Sequence, residues 1–532
     1  MKSSGDEWSH PLTPPNSFLA NPSCLVLSPD KRIYRNLDLP TTVCLCLSSA
    51  ATMTSSPDWT VVRNTFRQTW GYTDFRYPQG EVVQTLLQHH DALVVLPTGG
   101  GKSICFQLPA LLQRGVTLVV SPLVALMENQ VQALRQRHLP AAALHSELSR
   151  SQQRTIINAL QRQQLRLLYL SPETLFSGKI WPILRQPTLQ INGLMLDEAH
   201  CLVQWGDTFR PAYRRLGAVR PALLQTRPPG TSIPIAAFTA TADPTAQYTI
   251  RDVLQLRSPK LFLQNPYRPQ LALSVVPTLT PRQRKQKLLN CLKDHPNQSG
   301  LVYVRTRKDS EELAQLLQTQ GFAVAAYHAG LSPGQRREIE RQWLTTQVPV
   351  VVCTSAFGMG IDKPDVRWVL HFHAPLLLSE YVQEIGRAGR DGKAAKAITL
   401  VSEPTGWLDP TDKQRRQFFE QREKSLQNKA FRLTRQLPRS GSLEGALAVS
   451  PEAAIALSLL HSSGQLTWLD PFHYQIHTSK PRPNPTNQQA TQQMQQYLRD
   501  RRCRWQVILE AFGFGGSAKA CGICDRCLSR TT

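Results

Sequence analysis

The sequence predicts an α/β protein of two tandem parallel-sheet lobes, followed by a helical segment with a hairpin and a cysteine-rich end. Three observations carry this. Between residues 58 and 260, short apolar runs alternate with helical segments: Leu93-Val-Val-Leu, Val116-Thr-Leu-Val-Val, Leu165-Arg-Leu-Leu-Tyr-Leu, Ile191-Asn-Gly-Leu-Met-Leu and Ile235-Ala-Ala-Phe. The runs are continuous rather than alternating, so both faces of each strand are buried, as in a parallel sheet wrapped by helices. The same rhythm restarts at Gly300-Leu-Val-Tyr-Val, continues through Val324-Ala-Ala-Tyr-His and Val348-Pro-Val-Val-Val-Cys, and closes at Trp368-Val-Leu-His-Phe and Ala397-Ile-Thr-Leu-Val. The chain of 532 residues is also too long for one core and predicts about three domains at roughly 150 residues each.

In order, residues 1–57 are rich in Ser, Pro and Asn and are expected to be a disordered extension. Their isolated apolar patch, Thr42-Val-Cys-Leu-Cys-Leu47, is too short to span a membrane and too far inside to be a signal peptide. Met53 heads a polar stretch just before structure is expected to begin and is a second candidate start. Lobe 1 is expected over 58–265, a linker near Asn265-Pro-Tyr-Arg-Pro269, and lobe 2 over 266–402. Residues 403–485 read as a charged connecting helix, two short helices (Ser450 capping and Pro451 starting the second) and a hairpin turned by Asp470-Pro471. That order suits a winged-helix unit, and equally a helical insertion that touches no DNA. Residues 486–532 form the cysteine-bearing subdomain.

A formal charge of +23, from 61 Lys+Arg against 38 Asp+Glu, points to a polyanionic partner, although solubility alone also tolerates such a balance. No run approaches the length of a membrane span and no signal-like segment opens the chain, so a soluble, cytoplasmic protein with no membrane partner is expected. Cys105, Cys201, Cys291 and Cys353 stand alone in apolar surroundings, as buried thiols of a reducing compartment do.

The chemistry begins at Leu93 to Gln107, which reads as strand, phosphate-cradling loop and helix. Gly99, Gly100 and Gly101 let successive N–H groups point at phosphate oxygens, Lys102 reaches the β and γ phosphates, and Ser103 can ligate Mg²⁺. Leu96 stands where the strict pattern has glycine, which favours the Pro97-Thr98-Gly99 form of the loop; a plain glycine turn before a helix would share the local pattern. A partner appears about 95 positions on, where the apolar run ending at Leu196 meets Asp197 and Glu198. Strand geometry sends successive side chains to opposite faces, so Asp197 can hold Mg²⁺ while Glu198 activates water. In the second lobe, Arg387 and Arg390 lie three residues apart among glycines, placed to stabilise charge on a γ-phosphoryl group; a solvated basic patch is the alternative. Cys503, Cys521, Cys524 and Cys527 match tetrahedral Zn²⁺ ligation, and the 17 residues between the first two leave room for a helix. Four thiolates leave no open position, so the metal is structural rather than catalytic. From Gln204 to Arg210, Trp205 and Phe209 stand with Arg210, a combination that stacks on single-stranded bases at about 1–3 kcal/mol each; burial in a core is the alternative for the two aromatics.

These residues carry a resemblance. Gly99 to Ser103, Asp197-Glu-Ala-His, Phe238-Thr-Ala-Thr-Ala, Tyr327-His-Ala-Gly-Leu, Thr354-Ser-Ala-Phe-Gly-Met-Gly-Ile-Asp-Lys-Pro and Gln383 to Gly392 stand in the order seen in superfamily 2 helicases. The stretch Cys201 to Tyr213 is similar to the aromatic-rich loop of RecQ proteins, and the cysteine-rich end resembles their zinc knot. The resemblance implies two RecA-like lobes, ATP and Mg²⁺ use, unwinding of single-strand-tailed duplex DNA with 3′ to 5′ polarity, and service in repair or recombination. It adds Gln383 to the catalytic set and makes Gln204, Trp205, Phe209 and Arg210 DNA contacts. Gly71 to Gln79 resembles the family's adenine element, with Gln79 reading the base edge and Tyr72 and Arg76 packing near the ring.

The sequence departs from the family pattern at Tyr77-Pro78, at Asp207-Thr208 and, most of all, in the roughly 100 residues between lobe 2 and the cysteines, where the family has a short helical stretch with its winged helix after the zinc. With five residues of sequence after Cys527, neither the trailing winged helix nor the terminal accessory module is expected in that place. The segment 440–480 is therefore expected to replace the winged helix, with Trp468, Phe472 and Tyr474 as duplex-splitting or DNA-contacting residues. Two rival functions share much of this pattern: an RNA helicase on the same lobes, and a DNA-binding protein with a dead ATP site. Protein partners are not legible.

Overall fold

The structure, a computed structural model, describes residues 57–529 apart from 205–209, 359–360, 404–405, 478–484 and 518. The expected extension, with Met53, lies outside the described residues save for Pro57, as do Trp205 and Phe209.

Lobe 1 holds seven strands: β1 (Ala92–Val95), β2 (Val116–Val120), β3 (Ala141–Leu144), β4 (Leu167–Leu170), β5 (Ile191–Leu196), β6 (Ile235–Thr239) and β7 (Lys260–Leu263). All pair in parallel, in the order β3-β4-β2-β5-β6-β1-β7. The first six are buried along their whole length, which is why their sequences run apolar without alternation. Lobe 2 repeats the plan with β8 (Leu271–Thr278), β9 (Gly300–Tyr303), β10 (Val324–Tyr327), β11 (Val350–Cys353), β12 (Trp368–His371) and β13 (Ala395–Ser402), again all parallel, in the order β10-β11-β9-β12-β13-β8. Both lobes are RecA-like in this sense.

Three strands fall outside the expected runs. β3 is Ala-Ala-Ala-Leu, with no β-branched residue to mark it; β7 is a short, largely exposed edge; β8 is the opposite edge of its sheet and carries Pro277, which an edge tolerates.

Asp91, just before β1, ties lobe 1 together. Its two carboxylate oxygens both accept from Arg220 Nη1 (2.8 and 2.7 Å) and one each from the backbone N–H groups of Ile235 (2.8 Å) and Arg257 (2.6 Å), with both acid and base buried. Removing one partner strands a buried charge. Asp91→Ala is expected to cost about 3–5 kcal/mol, seen as an earlier first transition in calorimetry or denaturant unfolding.

After lobe 2 comes a 24-residue helix, Thr411–Thr434, then β14 (Ser440–Ser442), helices Leu443–Val449 and Ala453–Ser462, and the hairpin β15 (Leu466–Trp468) and β16 (His473–Ile476). The three strands form an antiparallel sheet in the order β14-β16-β15. Helix, strand, two helices and a two-stranded wing make this a winged-helix unit whose first helix is the charged connector. Ser450 does not cap the second short helix directly: its hydroxyl accepts from Glu452 N–H (3.2 Å) and the helix proper starts at Ala453.

The hairpin aromatics are a correction to the expectation. Trp468 (6% exposed) and Tyr474 (0%) are core residues of the winged unit, packed with Leu457, Leu460 and Leu466 and with Ala218 of lobe 1. Phe472 packs edge-on against Phe176 and Trp181 of lobe 1, at 6.1 and 5.5 Å between ring centroids. Arg215 lies over Phe176 (4.3 Å) and donates to the Pro471 carbonyl (3.0 Å). The hairpin's rings are turned to protein because burying an aromatic is worth more than leaving it in water; they dock the unit on lobe 1.

Candidate active site and metal centre

The phosphate loop leaves the end of β1 and closes on helix Lys102–Leu112, with Gly99 and Gly101 at φ +81° and +73°, a region that glycine enters without cost. Ser103 stands in the first turn of that helix. Gln79, the first residue of helix Gln79–Leu87, is buried against this loop: its Oε1 accepts from Arg76 N–H (2.9 Å) and its Nε2 donates to the Gly100 carbonyl (3.2 Å). A Cβ at Gly101 would collide with that amide. Tyr72 and Arg76 are exposed beside it, with the Tyr72 ring 5.8 Å from Phe66. Lys102 is folded back on its own loop, donating to the carbonyls of Leu96 (3.2 Å) and Pro97 (3.5 Å). Burial lowers its pKa, and Glu198 and Asp197 oppose that.

The two acids do not sit on a strand. β5 ends at Leu196, and Asp197 and Glu198 form the turn beyond it, so alternation along a strand is not what separates them. Glu198 has a left-handed backbone, φ +51°, held on either side by Asp197 N–H donating to Val120 O (2.9 Å) and Ala199 N–H to Phe238 O (2.8 Å). Burial works against charge on Glu198, and His200, 3.2 Å away, with Lys102 and Arg387 outweighs it, so the carboxyl is held well below its ordinary range. Burial and the Glu198 charge push Asp197 the other way. On His200 burial also opposes charge, and Cys201 and Glu198, one on each side of the ring, raise it. The same ring lies 3.2 Å from Thr239 Oγ1, which in turn donates to the Thr241 carbonyl (3.1 Å), so the acid is linked to the loop after β6.

Lobe 2 meets this surface directly. Thr98 Oγ1, in the phosphate loop, donates to the Gly386 carbonyl (2.7 Å), and Gln383 lines a cavity with Thr98, Thr241 and Arg268. Gln383 belongs to helix Leu378–Ile385, and Arg387 and Arg390 follow in the turn at its end. Both arginines are held by one loop: Arg387 donates to the Gly358 carbonyl, Arg390 to the Ile361 carbonyl (3.0 Å) and to Asp362 (2.7 Å). Gly358, at φ +99°, is glycine because a Cβ there would press on the Arg387 guanidinium at 2.6 Å. Arg390 reaches over the cleft until its Cδ lies 4.0 Å from where a Gly99 Cβ would be. Glu384, between Gln383 and the arginines, is spent on lobe 2 itself, accepting from Arg305 (3.0 Å) and lying 2.9 Å from His371 Nε2.

Of the DNA-loop residues, Gln204 ends the short helix His200–Gln204 and Arg210 lies 3.6 Å from Glu173; Trp205 and Phe209 fall outside the described residues. Sequence reasoning quoted His200 and Thr239 within motifs without giving them tasks. It passed over Arg268, which only its place in an interlobe linker singled out.

The four cysteines converge. Their sulfurs lie within 4.8 Å of one another, with Cys503–Cys524 and Cys521–Cys527 both at 3.9 Å. A tetrahedron with metal–sulfur bonds of about 2.3 Å has edges of about 3.8 Å, so the donor set fits Zn²⁺. N–H groups of Cys521 (to Cys503, 3.3 Å) and Arg504 (to Cys524, 3.5 Å) aim at the sulfurs and favour thiolates. Arg504 is buried and pairs with Asp525 through two 2.9 Å bonds, locking the knot. Helix Arg504–Ala511 is the helix that brings Cys503 alongside.

A cleft in which a phosphate loop and an acid pair from one parallel lobe face two arginines from a second is the construction of ATP-driven nucleic-acid helicases. Comparison with known proteins agrees. Residues 76–249 match the DEAD/DEAH box helicase family, 283–392 the helicase conserved C-terminal domain and 471–528 the RecQ zinc-binding family. Over 466 residues, 87% of this chain and 97% of the relative, the chain is 56% identical to the ATP-dependent DNA helicase RecQ of Synechocystis sp.. It is 39% identical over 343 residues to the probable ATP-dependent DNA helicase RecS of Bacillus subtilis, covering 64% of this chain and 67% of that one. The fold is similar to that of the Mycobacterium smegmatis helicase Lhr bound to ssDNA and AMP-PNP (TM-score 0.54, 19% identity, 82% of this chain and 61% of that chain). It is likewise similar to that of the DUF1998 helicase MrfA bound to DNA (TM-score 0.55, 17% identity, 81% and 64%). The chain belongs to the RecQ family and is an ATP-dependent DNA helicase with a zinc-binding subdomain. Among the described residues no helix is long and apolar enough to cross a membrane.

Proposed function

We propose that this helicase moves 3′ to 5′ along single-stranded DNA and opens duplexes in DNA repair or recombination, with ATP hydrolysed in the cleft by residues of both lobes. The observation that carries the reading is the Thr98–Gly386 bond of 2.7 Å: the phosphate loop and the arginine turn touch, so groups from both lobes address one phosphate chain. The N–H groups of Gly99 to Gly101 and the Lys102 ammonium take the phosphates. Glu198, kept ionised by His200, orients the attacking water and accepts its proton. Arg387 and Arg390 neutralise charge as it builds on the γ-phosphoryl oxygens, and Gln383 spans the same cavity. The Ser103 hydroxyl and the Asp197 carboxylate are oxygen donors suited to Mg²⁺, and a buried carboxylate beside another charge is stabilised by such a cation. Held by these two residues, Mg²⁺ would supply positive charge to offset that developing on the phosphates. Gln79, with Tyr72 and Arg76, is assigned to the adenine; its amide leaves the Gly100 carbonyl to read the base edge. Gln204, Trp205, Phe209 and Arg210 are assigned to the single strand.

With the hairpin rings buried, the winged unit presents a row of exposed cations along its first helix. Lys413 and Lys424, with Arg435 just past the last turn, recur every eleven residues, three turns or about 16 Å apart on one side, and Phe431 (61% exposed) lies under the Arg435 guanidinium at 5.4 Å. This row is assigned to duplex phosphates. Replacing all three cations by alanine is expected to lower the slope of log affinity against log salt for duplex DNA by about 2–3, at about 0.9 per phosphate lost, in a salt-titrated anisotropy assay.

Strand displacement on duplexes with a 3′ or a 5′ single-stranded tail tests the direction: unwinding confined to the 3′-tailed substrate is expected, and unwinding from a 5′ tail overturns it. Stimulation of ATP turnover by DNA well above that by RNA of the same sequence is expected alongside.

A further inference from the structure

We infer that Arg268, in the linker joining the lobes, is a positioning residue that sets the two cleft arginines. The inference rests on the reading of Arg387 and Arg390 as groups acting on the γ-phosphoryl oxygens. Arg268 donates one guanidinium N–H to the carbonyl of Gly386 (2.7 Å) and another to the carbonyl of Gly389 (2.7 Å). Those carbonyls belong to the peptide groups that immediately precede Arg387 and Arg390. One rigid fork therefore fixes both peptide planes from which the arginines depart, and Gln270 adds a third bond, to Gly389 O, at 3.0 Å.

The choice of residue fits the task. Carbonyls past the end of helix Leu378–Ile385 have no partner within the helix, and a cation there also suits the helix dipole. Two acceptors held in plane ask for a planar, bidentate donor, which arginine is and lysine is not. The placement has a cost, because burial and the nearby charge of Arg390 both oppose charge on Arg268. A third guanidinium beside two others is kept because it grips carbonyls and leaves the phosphate side of the cleft to its neighbours.

The grip also reports on the cleft. Gly386 O receives a bond from Thr98 of the phosphate loop as well, so the linker and the loop share one acceptor. From the other side the linker is held by the zinc-binding subdomain: Tyr267 meets Trp505 edge-on at 5.3 Å, and the Trp505 indole N–H donates to the Leu271 carbonyl (3.1 Å).

The test compares Arg268→Ala and Arg268→Lys in the full chain, alone and combined with Arg387→Ala and Arg390→Ala together, by DNA-stimulated ATP turnover, DNA anisotropy, zinc content and thermal unfolding. Misplacing groups that act in the transition state lowers kcat about tenfold or more while KM for ATP stays within about threefold. Arg268→Lys is expected to unfold and bind zinc as the parent does and yet to recover little of kcat, since it keeps the charge and loses the fork. With both cleft arginines already removed, the Arg268 change is expected to add little to the loss. Parental kcat in Arg268→Lys, or losses that multiply in the background lacking both cleft arginines, overturns the positioning role. If Arg387→Ala and Arg390→Ala themselves leave kcat intact, the arginine reading fails and this inference with it; if they lower kcat and the Arg268 variants do not, only this inference fails.

Discussion

Glu198→Gln is expected to bind ATP and DNA and to hydrolyse ATP about 10²–10⁴-fold more slowly, the contribution typical of a positioned general base. Glutamine keeps the shape beside His200, but it cannot take a proton from water. The surroundings are built around the charge: His200 stands 3.2 Å away, raised by the carboxylate it faces, and Lys102 and Arg387 add to the same field. The backbone tells the same story. A non-glycine residue in the left-handed region costs of order 1–2 kcal/mol, and here two flanking hydrogen bonds hold it. The turn frees the side chain from the line of β5, so that it and Asp197 need not point apart. A single-turnover measurement giving more than a tenth of parental hydrolysis for Glu198→Gln would remove Glu198 from the role.

Loss of zinc is expected to have a comparably large effect, through folding rather than through chemistry. Cys503 and Cys524 are buried within the same apolar cluster as Tyr381, Ile385 and Leu271, together with Tyr497, Trp505 and Ile508 of the terminal subdomain. Tyr497 O–H donates to Tyr381 O–H at 2.7 Å, and Tyr381 sits two residues before Gln383. The metal thus helps to hold the helix that delivers the arginine turn. Structural zinc contributes about 10–16 kcal/mol in isolated finger peptides, and even part of that is large against the roughly 5–15 kcal/mol that holds a typical domain. Cys524→Ala should lose zinc, unfold lobe 2 at lower temperature and lower kcat. Zinc-depleted protein with unchanged unfolding and turnover would show the cysteines to be incidental.

The fold was legible where burial on both faces writes continuous apolar runs, as in β2, β5 and β11, and illegible where strands are made of alanine or lie at an edge, as in β3, β7 and β8. For the site, local motifs were readable because the residue types that the chemistry needs stand close together in the chain: glycines at the phosphate loop, an acid pair just past a strand end, cysteines at fixed gaps. What the sequence could not show were relations between distant segments. Arg268 and the carbonyls it holds are about 120 positions apart. The aromatics of the hairpin looked like DNA contacts because composition does not say which side of a strand faces protein. His200 was visible within its motif, but its contact with Thr239 joins the helix it begins to the end of β6, 39 positions on.

The helix Thr411–Thr434 joins the lobes a second time. Its start is fixed to lobe 2, where buried Arg284 pairs with Asp409 (2.9 Å) and Asp412 (3.0 Å) and Arg415 pairs with Asp309 (3.2 Å). Its far end carries the unit that Phe472 and Arg215 clamp to lobe 1. A helix of this length spans about 36 Å as a stiff rod. The two lobes are therefore hinged at the Arg268 linker and braced by a strut, like the two sides of a folding frame. Any widening of the cleft must be absorbed at one of the strut's ends, either at the acid-and-arginine knot or at the aromatic clamp, and the exposed row of cations rides along with it.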